Sequence, residues 1–107
     1  MKFTNRANVN MTGLRGYVEI TFGELVEIFG KPDLGPNADL DKTTCEWRLK
    51  FQDDTVASIY DYKTPFTPMG VHEWHIGGHD DRALEHVMDT INFHRDQLVQ
   101  FINKGIN

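Results

Sequence analysis

One stretch constrains the fold of this chain more than any other, and it reads Trp74-His75-Ile76-Gly77-Gly78-His79-Asp80-Asp81. Its apolar and aromatic residues predict a strand, two adjacent glycines follow, and a long amphipathic helix begins at once. Adjacent glycines let the backbone approach a ligand closely, and the first N–H groups of the helix point toward the same turn. The stretch therefore predicts either a sharp corner or an anion site at the start of the helix.

The composition indicates one globular domain. The chain has 107 residues, 39% of them hydrophobic and 25% charged, which suits a single modest core. The formal charge of −5 argues against non-specific binding to duplex DNA. A lone cysteine, Cys45, excludes an internal disulfide, and no apolar stretch reaches the length of a membrane span. We expect a cytoplasmic protein.

The hydrophobic pattern predicts an α+β fold with a small antiparallel sheet of three to four strands. Residues 1–13 are polar and predict a flexible N-terminal arm, which leaves residues 14–107 as a single domain. Phe22–Phe29 has helical spacing, with Thr21 and Glu24 as a capping box and a glycine as the stop. Alternating apolar residues predict the strands, at residues 17–20, 45–51, 55–62 and 71–76.

A long C-terminal helix is predicted from about Asp80 to Asn103. Its apolar stripe predicts a core-facing side made of Leu84, Val87, Met88, Ile91, Leu98 and Ile102. Arg95 interrupts this stripe, so either the helix bends or Arg95 reaches a carboxylate or a ligand. Phe93 lies on the opposite side, and we expect a homo-oligomer with Phe93 near the contact.

The sequence carries no enzyme signature. His72 and His75 point to opposite faces of their predicted strand, so they do not form a metal site with His79. Cys45 lies within an apolar strand pattern, which is typical of an inert core thiol. We therefore expect no cofactor, no metal and no catalytic residues. A cyclic-nucleotide hydrolase with His75 as base and His79 as acid is a distant alternative.

A binding site is better supported, because the chain combines aromatic rings, cations and glycines as a nucleotide site does. The predicted ligand-binding residues are Arg48, Tyr60, Tyr62, Lys63, Trp74, His75, Gly77, Gly78, His79 and Arg95. A core role is the competing explanation for Tyr60 and Trp74. A structural role and a ligand-binding role are about equally well supported for four of these residues, Tyr62, Lys63, His75 and Gly78.

Four short sequence motifs of the chain resemble those of a family of short bacteriophage proteins. They are the FGxP, EW, TVAxIYxxK and WHIGG motifs, at residues 29–32, 46–47, 55–63 and 74–78. The resemblance covers roughly residues 15–90. Small phage proteins of this kind often counter host defence, and some sequester nucleotide-derived immune signals such as cyclic ADP-ribose isomers.

The resemblance and the residues together leave two hypotheses of different classes. The first is a non-catalytic protein that sequesters a nucleotide-like small molecule. The second is an acidic inhibitor or nucleic-acid mimic that occupies a host defence enzyme. The acids that favour the second are Asp33, Asp39, Asp41, Asp53 and Asp54.

Overall fold

The computed structural model describes residues 1–106 of the chain. Its elements are β1 (Phe3–Asn5), β2 (Gly13–Ile20), α1 (Phe22–Phe29), β3 (Glu46–Phe51), β4 (Val56–Tyr60), β5 (His72–Gly78) and α2 (Arg82–Ile106). The strands form one sheet in the order β1-β3-β4-β5-β2, and every neighbouring pair is antiparallel. The predicted α+β fold is confirmed, with five strands in place of three to four.

The additional strand lies inside the segment that was predicted to be a flexible arm. Phe3 pairs with Phe51 in the register of β1 and β3. The ring of Phe3 also packs against Phe29 and Phe51, with centroids 5.3 and 5.9 Å apart. Residues 3–5 therefore belong to the sheet, which corrects the prediction for that part of the arm. Residue 107, the last of the predicted domain, lies outside the described residues.

Helix α1 begins and ends as its sequence predicts. The Thr21 hydroxyl accepts a hydrogen bond from the Glu24 N–H at 3.1 Å, which is the first half of the capping box. At the other end Gly30 has φ +84°, and its N–H donates to the Val26 carbonyl at 2.9 Å. Glycine adopts this left-handed φ without the steric cost of a side chain, so it ends the helix cleanly.

Two buried tryptophans hold the segments that flank α1. The indole N–H of Trp47 donates to the Gly30 carbonyl at 2.8 Å, and that of Trp74 donates to the Ile20 carbonyl at 3.1 Å. The two rings meet edge to face with centroids 5.6 Å apart. Each indole thus buries its ring and satisfies its one donor, and the two bonds fix both ends of the helix against the sheet.

Both helices pack on the same face of the sheet, where the core lies. The buried core residues are Val18, Ile20, Leu25, Phe29, Cys45, Trp47, Leu49, Phe51, Ala57, Ile59, Trp74, Ile76, Ala83, Val87 and Ile91. Of the predicted core positions of α2 up to Ile91, Val87 and Ile91 are fully buried, and Leu84 and Met88 are partly buried against the core. No helix in residues 1–106 combines the length and the apolarity that crossing a membrane requires.

The C-terminal half of α2 leaves the body of the domain. Leu98 and Ile102, which were predicted to face the core, are 44% and 57% exposed. Val99 and Phe101 are 56% and 76% exposed. The molecule measures 50 Å along its longest axis. The apolar stripe of α2 is thus longer than the sheet that it covers, which corrects the prediction for its last turns.

Candidate functional site

The face of the sheet opposite the helices carries the candidate site. Directly opposed residues of neighbouring strands share a face, so the register shows which side chains meet there. One row runs across β3, β4, β5 and β2 through Glu46, Tyr60, His75 and Tyr17. The adjacent row runs through Arg48, Ser58, Gly77 and Leu14. We call the surface formed by these two rows the open face.

Four rings on the open face form an aromatic cluster, made of Tyr17, Tyr60, Tyr62 and His75. The His75 ring is central, with centroids 4.9 Å from Tyr17, 5.3 Å from Tyr60 and 5.2 Å from Tyr62. Tyr17 and Tyr62 are 49% and 38% exposed. Solvent-facing π surfaces therefore lie side by side on a rigid sheet, which is an arrangement that stacks planar ligands.

His75 carries an unsatisfied polar atom at the centre of this cluster. Its Nδ1 atom is buried and has no hydrogen-bond partner among the described residues. Burial lowers the pKa of His75, and the nearby Glu73 carboxylate opposes this effect. The ring is therefore neutral near pH 7, with one nitrogen to donate and one to accept. Buried polar groups nearly always have a partner, and among the described residues the Oγ1 atom of Thr55 and the Nε2 atom of His94 share this lack of one.

Cations border the cluster on the side of β3 and β4. The Lys63 Nζ atom lies 5.3 Å from the centroid of the Tyr62 ring. The Arg48 Nε donates to Glu46 at 2.7 Å, and Arg48 is 37% exposed. Since that bond uses only Nε, the terminal guanidinium nitrogens of Arg48 remain as donors toward solvent.

Carboxylates border the cluster on the side of β5 and β2. Glu19 and Glu73 are exposed and stand directly opposite each other in the register. Neither forms an ion pair within the described residues. Like charges placed opposite each other are unfavourable in an antiparallel pair. One flank of the aromatic cluster thus carries Lys63 and the Arg48–Glu46 ion pair, and the other flank carries two acids.

The two adjacent glycines lie within β5, and a side chain at either position would point to a different face of the sheet. On the open face, a Cβ at Gly77 would lie 2.6 Å from the Ser58 Oγ and 3.5 Å from the Tyr60 ring. On the helix face, a Cβ at Gly78 would lie 2.2 Å from the Cβ of Ala83. Gly78 therefore allows close packing of α2 and does not line the surface that carries His75, which corrects that prediction.

The start of α2 is already occupied by the chain's own acids. The Asp80 carboxylate accepts the Arg82 N–H at 2.9 Å and also binds the Arg82 guanidinium. This contact lowers the pKa of Asp80 through hydrogen bonds from Arg82. A phosphate at this helix start would have to displace a carboxylate, so the predicted anion site there is not favoured.

Three further predicted residues lie away from the open face. Trp74 is fully buried on the helix face. His79 follows the end of β5 and its carbonyl accepts a hydrogen bond from Arg15 at 2.9 Å. Arg95 donates to both carboxylate oxygens of Glu24, at 2.8 and 3.2 Å, and so joins α2 to α1. The break in the apolar stripe is thus explained by a carboxylate partner.

We expect Arg95→Gln to lower the free energy of unfolding by up to about 1 kcal/mol at pH 7, because the pair is partly exposed. The Arg95 hydrogen bond lowers the pKa of Glu24. That contribution is complete above the pKa of an unfolded glutamate, about 4.3, and disappears as pH falls through the lowered folded value. Urea unfolding should show the full difference at pH 7 and a progressively smaller one as the pH falls below about 4.3. Lys104→Gln is the control, and a difference that does not shrink in acid would contradict this assignment.

Cys45 is buried, and His79 lies beyond the end of β5. Burial raises the pKa of Cys45 to about 12, so its thiol stays protonated and is a poor nucleophile at neutral pH. His79 lies at least about 10 Å along the chain from His75. Among residues 1–106, histidine, cysteine and acidic side chains do not gather in threes that would hold a metal ion.

Two shallow hollows lie elsewhere, at the end of the sheet where β1 meets β3. Their volumes are about 380 and 490 Å³. They are lined by Lys2, Phe3, Thr4, Lys50, Phe51 and Gln52, and by Met1, Lys2, Gln52, Asp89, Thr90 and Phe93. Phe93 is 66% exposed at the second hollow. The first hollow has two phenylalanine rings beside two lysines, but the lining of neither hollow includes a tyrosine or histidine that could hydrogen-bond a base. We therefore favour the open face despite its flatter shape.

The structure unites six of the ten predicted residues on or beside the open face. They are Arg48, Tyr60, Tyr62, Lys63, His75 and Gly77. Sequence reasoning missed Tyr17 and Glu73, although the alternation of Tyr17 with buried Val18 places Tyr17 on the wet face. Compared with protein-family models, curated protein sequences and solved structures, the chain shows no significant match.

Proposed function

We propose that the open face binds and sequesters a nucleotide-derived small molecule without converting it. The single observation that carries this proposal is the solvent-facing aromatic cluster centred on His75, with its unsatisfied Nδ1 atom. The resemblance to short phage proteins suggests the context, which is removal of a host immune signal of the cyclic ADP-ribose type in the bacterial cytoplasm.

The aromatic cluster suits the base of such a ligand. Base–aromatic stacking contributes roughly 1–3 kcal/mol per base and tolerates any base, because every base has a π face. Tyr62 offers an exposed ring with the Lys63 ammonium nearby. Tyr17 offers a second exposed ring that contacts His75. A heterocycle that moved the Tyr62 ring aside would also reach the buried Nδ1 of His75.

The two flanks of the aromatic cluster suit the rest of the ligand. Phosphates take charge-assisted hydrogen bonds from lysine and arginine, which places them toward Lys63 and the free guanidinium nitrogens of Arg48. Ribose hydroxyls and exocyclic amines are donors, and the exposed carboxylates of Glu19 and Glu73 accept hydrogen bonds. One end of the face thus fits anionic groups and the other fits neutral donors.

Binding without turnover agrees with the groups on the face. The Tyr60 hydroxyl is a weak acid there, because burial and then the Glu46 carboxylate raise its pKa. No side chain on the open face is paired as a nucleophile and base within the described residues. A sequestering protein needs affinity alone, which stacking and two cations supply.

The direct test is to purify the protein from infected, defence-competent bacteria, denature it by heat, and analyse the released small molecules by mass spectrometry. We expect a nucleotide derivative in stoichiometric amount. Recovery of unaltered ligand would support sequestration, and recovery of its hydrolysis product would support the hydrolase instead. Recovery of a host protein with no small molecule would favour the inhibitor.

Calorimetry with adenine-nucleotide derivatives tests the site itself. We expect Tyr62→Ala to weaken binding about tenfold, because one stacking surface of roughly 1–3 kcal/mol is lost. Phe101→Ala is the matched control, since it removes another exposed ring from the distant end of α2. Equal affinity in all three proteins would remove the aromatic cluster from consideration as the site.

The acidic-inhibitor hypothesis receives less support from the structure, because several of its acids are used internally. Asp33 accepts the backbone N–H groups of Arg6 and Arg48. Asp53 binds His86 at 2.7 Å, and Asp54 lies 3.6 Å from Lys50. Asp33 and Asp53 are therefore engaged within the domain, while Asp54 stays largely exposed.

A further inference from the structure

Strand β2 is the longest strand of the sheet and forms one of its edges. It has eight residues, about 26 Å at 3.3 Å per residue, and pairs only with β5. In residues 1–106 no backbone hydrogen bond joins its outer edge to another element. Long unpaired edges readily add a strand from another chain, and natural proteins usually blunt them. Here the only irregularity is a bulge at Arg15, beside the otherwise regular stretch from Gly16 to Ile20.

The charges of β2 are complementary to those of a second copy of the same strand. Arg15 donates to the neutral carbonyls of Gly78 and His79, at 3.0 and 2.9 Å, and its charge helps to lower the pKa of Asp80, but it forms no ion pair with a carboxylate in the described chain. Glu19 faces the like charge of Glu73. An antiparallel copy centred on Tyr17 would bring Arg15 of each chain beside Glu19 of the other.

The remaining pairs of that register are equally compatible. Gly16 would lie opposite Val18, and Tyr17 would lie opposite Tyr17 of the second copy. Val18 keeps its side chain in its own core, and Gly16 has no side chain to clash. Aromatic pairs and opposite charges each stabilise an antiparallel pair. The contact is isologous, so every favourable pair occurs twice.

We propose that this protein forms a twofold homodimer through antiparallel pairing of β2 with β2 of a second copy, in a register centred on Tyr17. The dimer has one continuous ten-stranded sheet. Its two open faces meet at Tyr17, so the aromatic clusters of both subunits become neighbours on one surface. The proposal does not depend on the identity of a ligand, and its test requires none.

Analytical ultracentrifugation of the full chain up to about 100 μM should show a monomer–dimer equilibrium. We expect Glu19→Lys to weaken the dimer at least tenfold, because it replaces two attractive contacts with two repulsions of Arg15. Its fold should be retained, since the new lysine faces Glu73 within the same subunit. Glu85→Lys makes the same change of charge on exposed α2 and should leave the dimer intact.

Cross-linking tests the register. Opposed strands place paired Cα atoms about 4.5–5.5 Å apart, which is within disulfide range. Tyr17→Cys should therefore form a disulfide-linked dimer under mild oxidation, and Thr4→Cys on the opposite edge should not. The native Cys45 is fully buried and does not interfere. A wild type that is monomeric throughout, or a dimer that Phe101→Asp abolishes while Glu19→Lys does not, would overturn the proposal.

Discussion

Replacing Asp61 with alanine is expected to lower the free energy of unfolding by about 3–5 kcal/mol, because several buried donors lose their acceptor at once. Asp61 is fully buried immediately after β4. Its Oδ1 accepts the N–H groups of Thr44 and Cys45 at 2.8 and 3.0 Å. Its Oδ2 accepts the hydroxyls of Thr44, at 2.5 Å, and of Thr64. One carboxyl group thus ties together the two long loops that precede β3 and follow β4.

Urea denaturation followed by circular dichroism measures this loss. Asp61→Asn keeps the shape but turns one acceptor into a donor facing hydroxyls, so we expect about half the effect. Asp39→Ala removes an exposed acid from the same loop region and should change stability by less than about 0.5 kcal/mol. Because Tyr62 and Lys63 follow Asp61 directly, an Asp61→Ala protein that stays folded should also bind ligand poorly. A loss no larger than that of Asp39→Ala would show that the loops do not depend on this group.

Gly78→Ala is expected to lower stability by about 3 kcal/mol through overpacking between β5 and α2. The new Cβ would lie 2.2 Å from the Cβ of Ala83 and 3.2 Å from the Val56 carbonyl oxygen, and neither atom is the end of a flexible side chain. The sequence alone predicted Gly78 to be a ligand-binding residue. The structure assigns the residue to helix packing instead, so the loss should appear in a protein without ligand.

A double-mutant cycle isolates that contact. Ala83→Gly alone should cost about 1 kcal/mol as a glycine in a helix, yet combined with Gly78→Ala it should restore part of the lost stability. Gly13→Ala is the matched control, because Gly13 pairs directly with Gly78 and has open space where its Cβ would lie. Additive losses in the double variant would contradict a direct clash with Ala83.

The sequence predicts the fold well where one local pattern agrees with the tertiary packing. Helix α1 has its cap, its apolar spacing and its terminal glycine within ten residues, and β3 shows a regular alternation. Strand β1 was missed because three residues contain no period; its pairing with β3 and the aromatic contacts of Phe3 hold it in the sheet. The stripe of α2 was overextended because a helical pattern does not show where the opposing surface ends.

The sequence predicted many of the residues of the candidate site but not how their side chains are arranged. Alternation places Tyr60 and Tyr62 on one side, and the motif around His75 supplies the central ring. The same alternation separates Trp74 from His75, so an aromatic residue next to the site belongs to the core. Arg95 and Glu24 are 71 positions apart in the chain, so no local sequence pattern could predict that they form an ion pair.

The two tryptophans of this chain make an internal optical reporter. Both indoles are fully buried, and both donate to carbonyls that flank α1. The aromatic residues on the open face are tyrosines and a histidine. Indole emission should therefore follow the docking of α1, while the near-ultraviolet signal of the tyrosines follows occupancy of the open face. Two events on opposite sides of one sheet thus have separate spectroscopic signatures in the unlabelled protein.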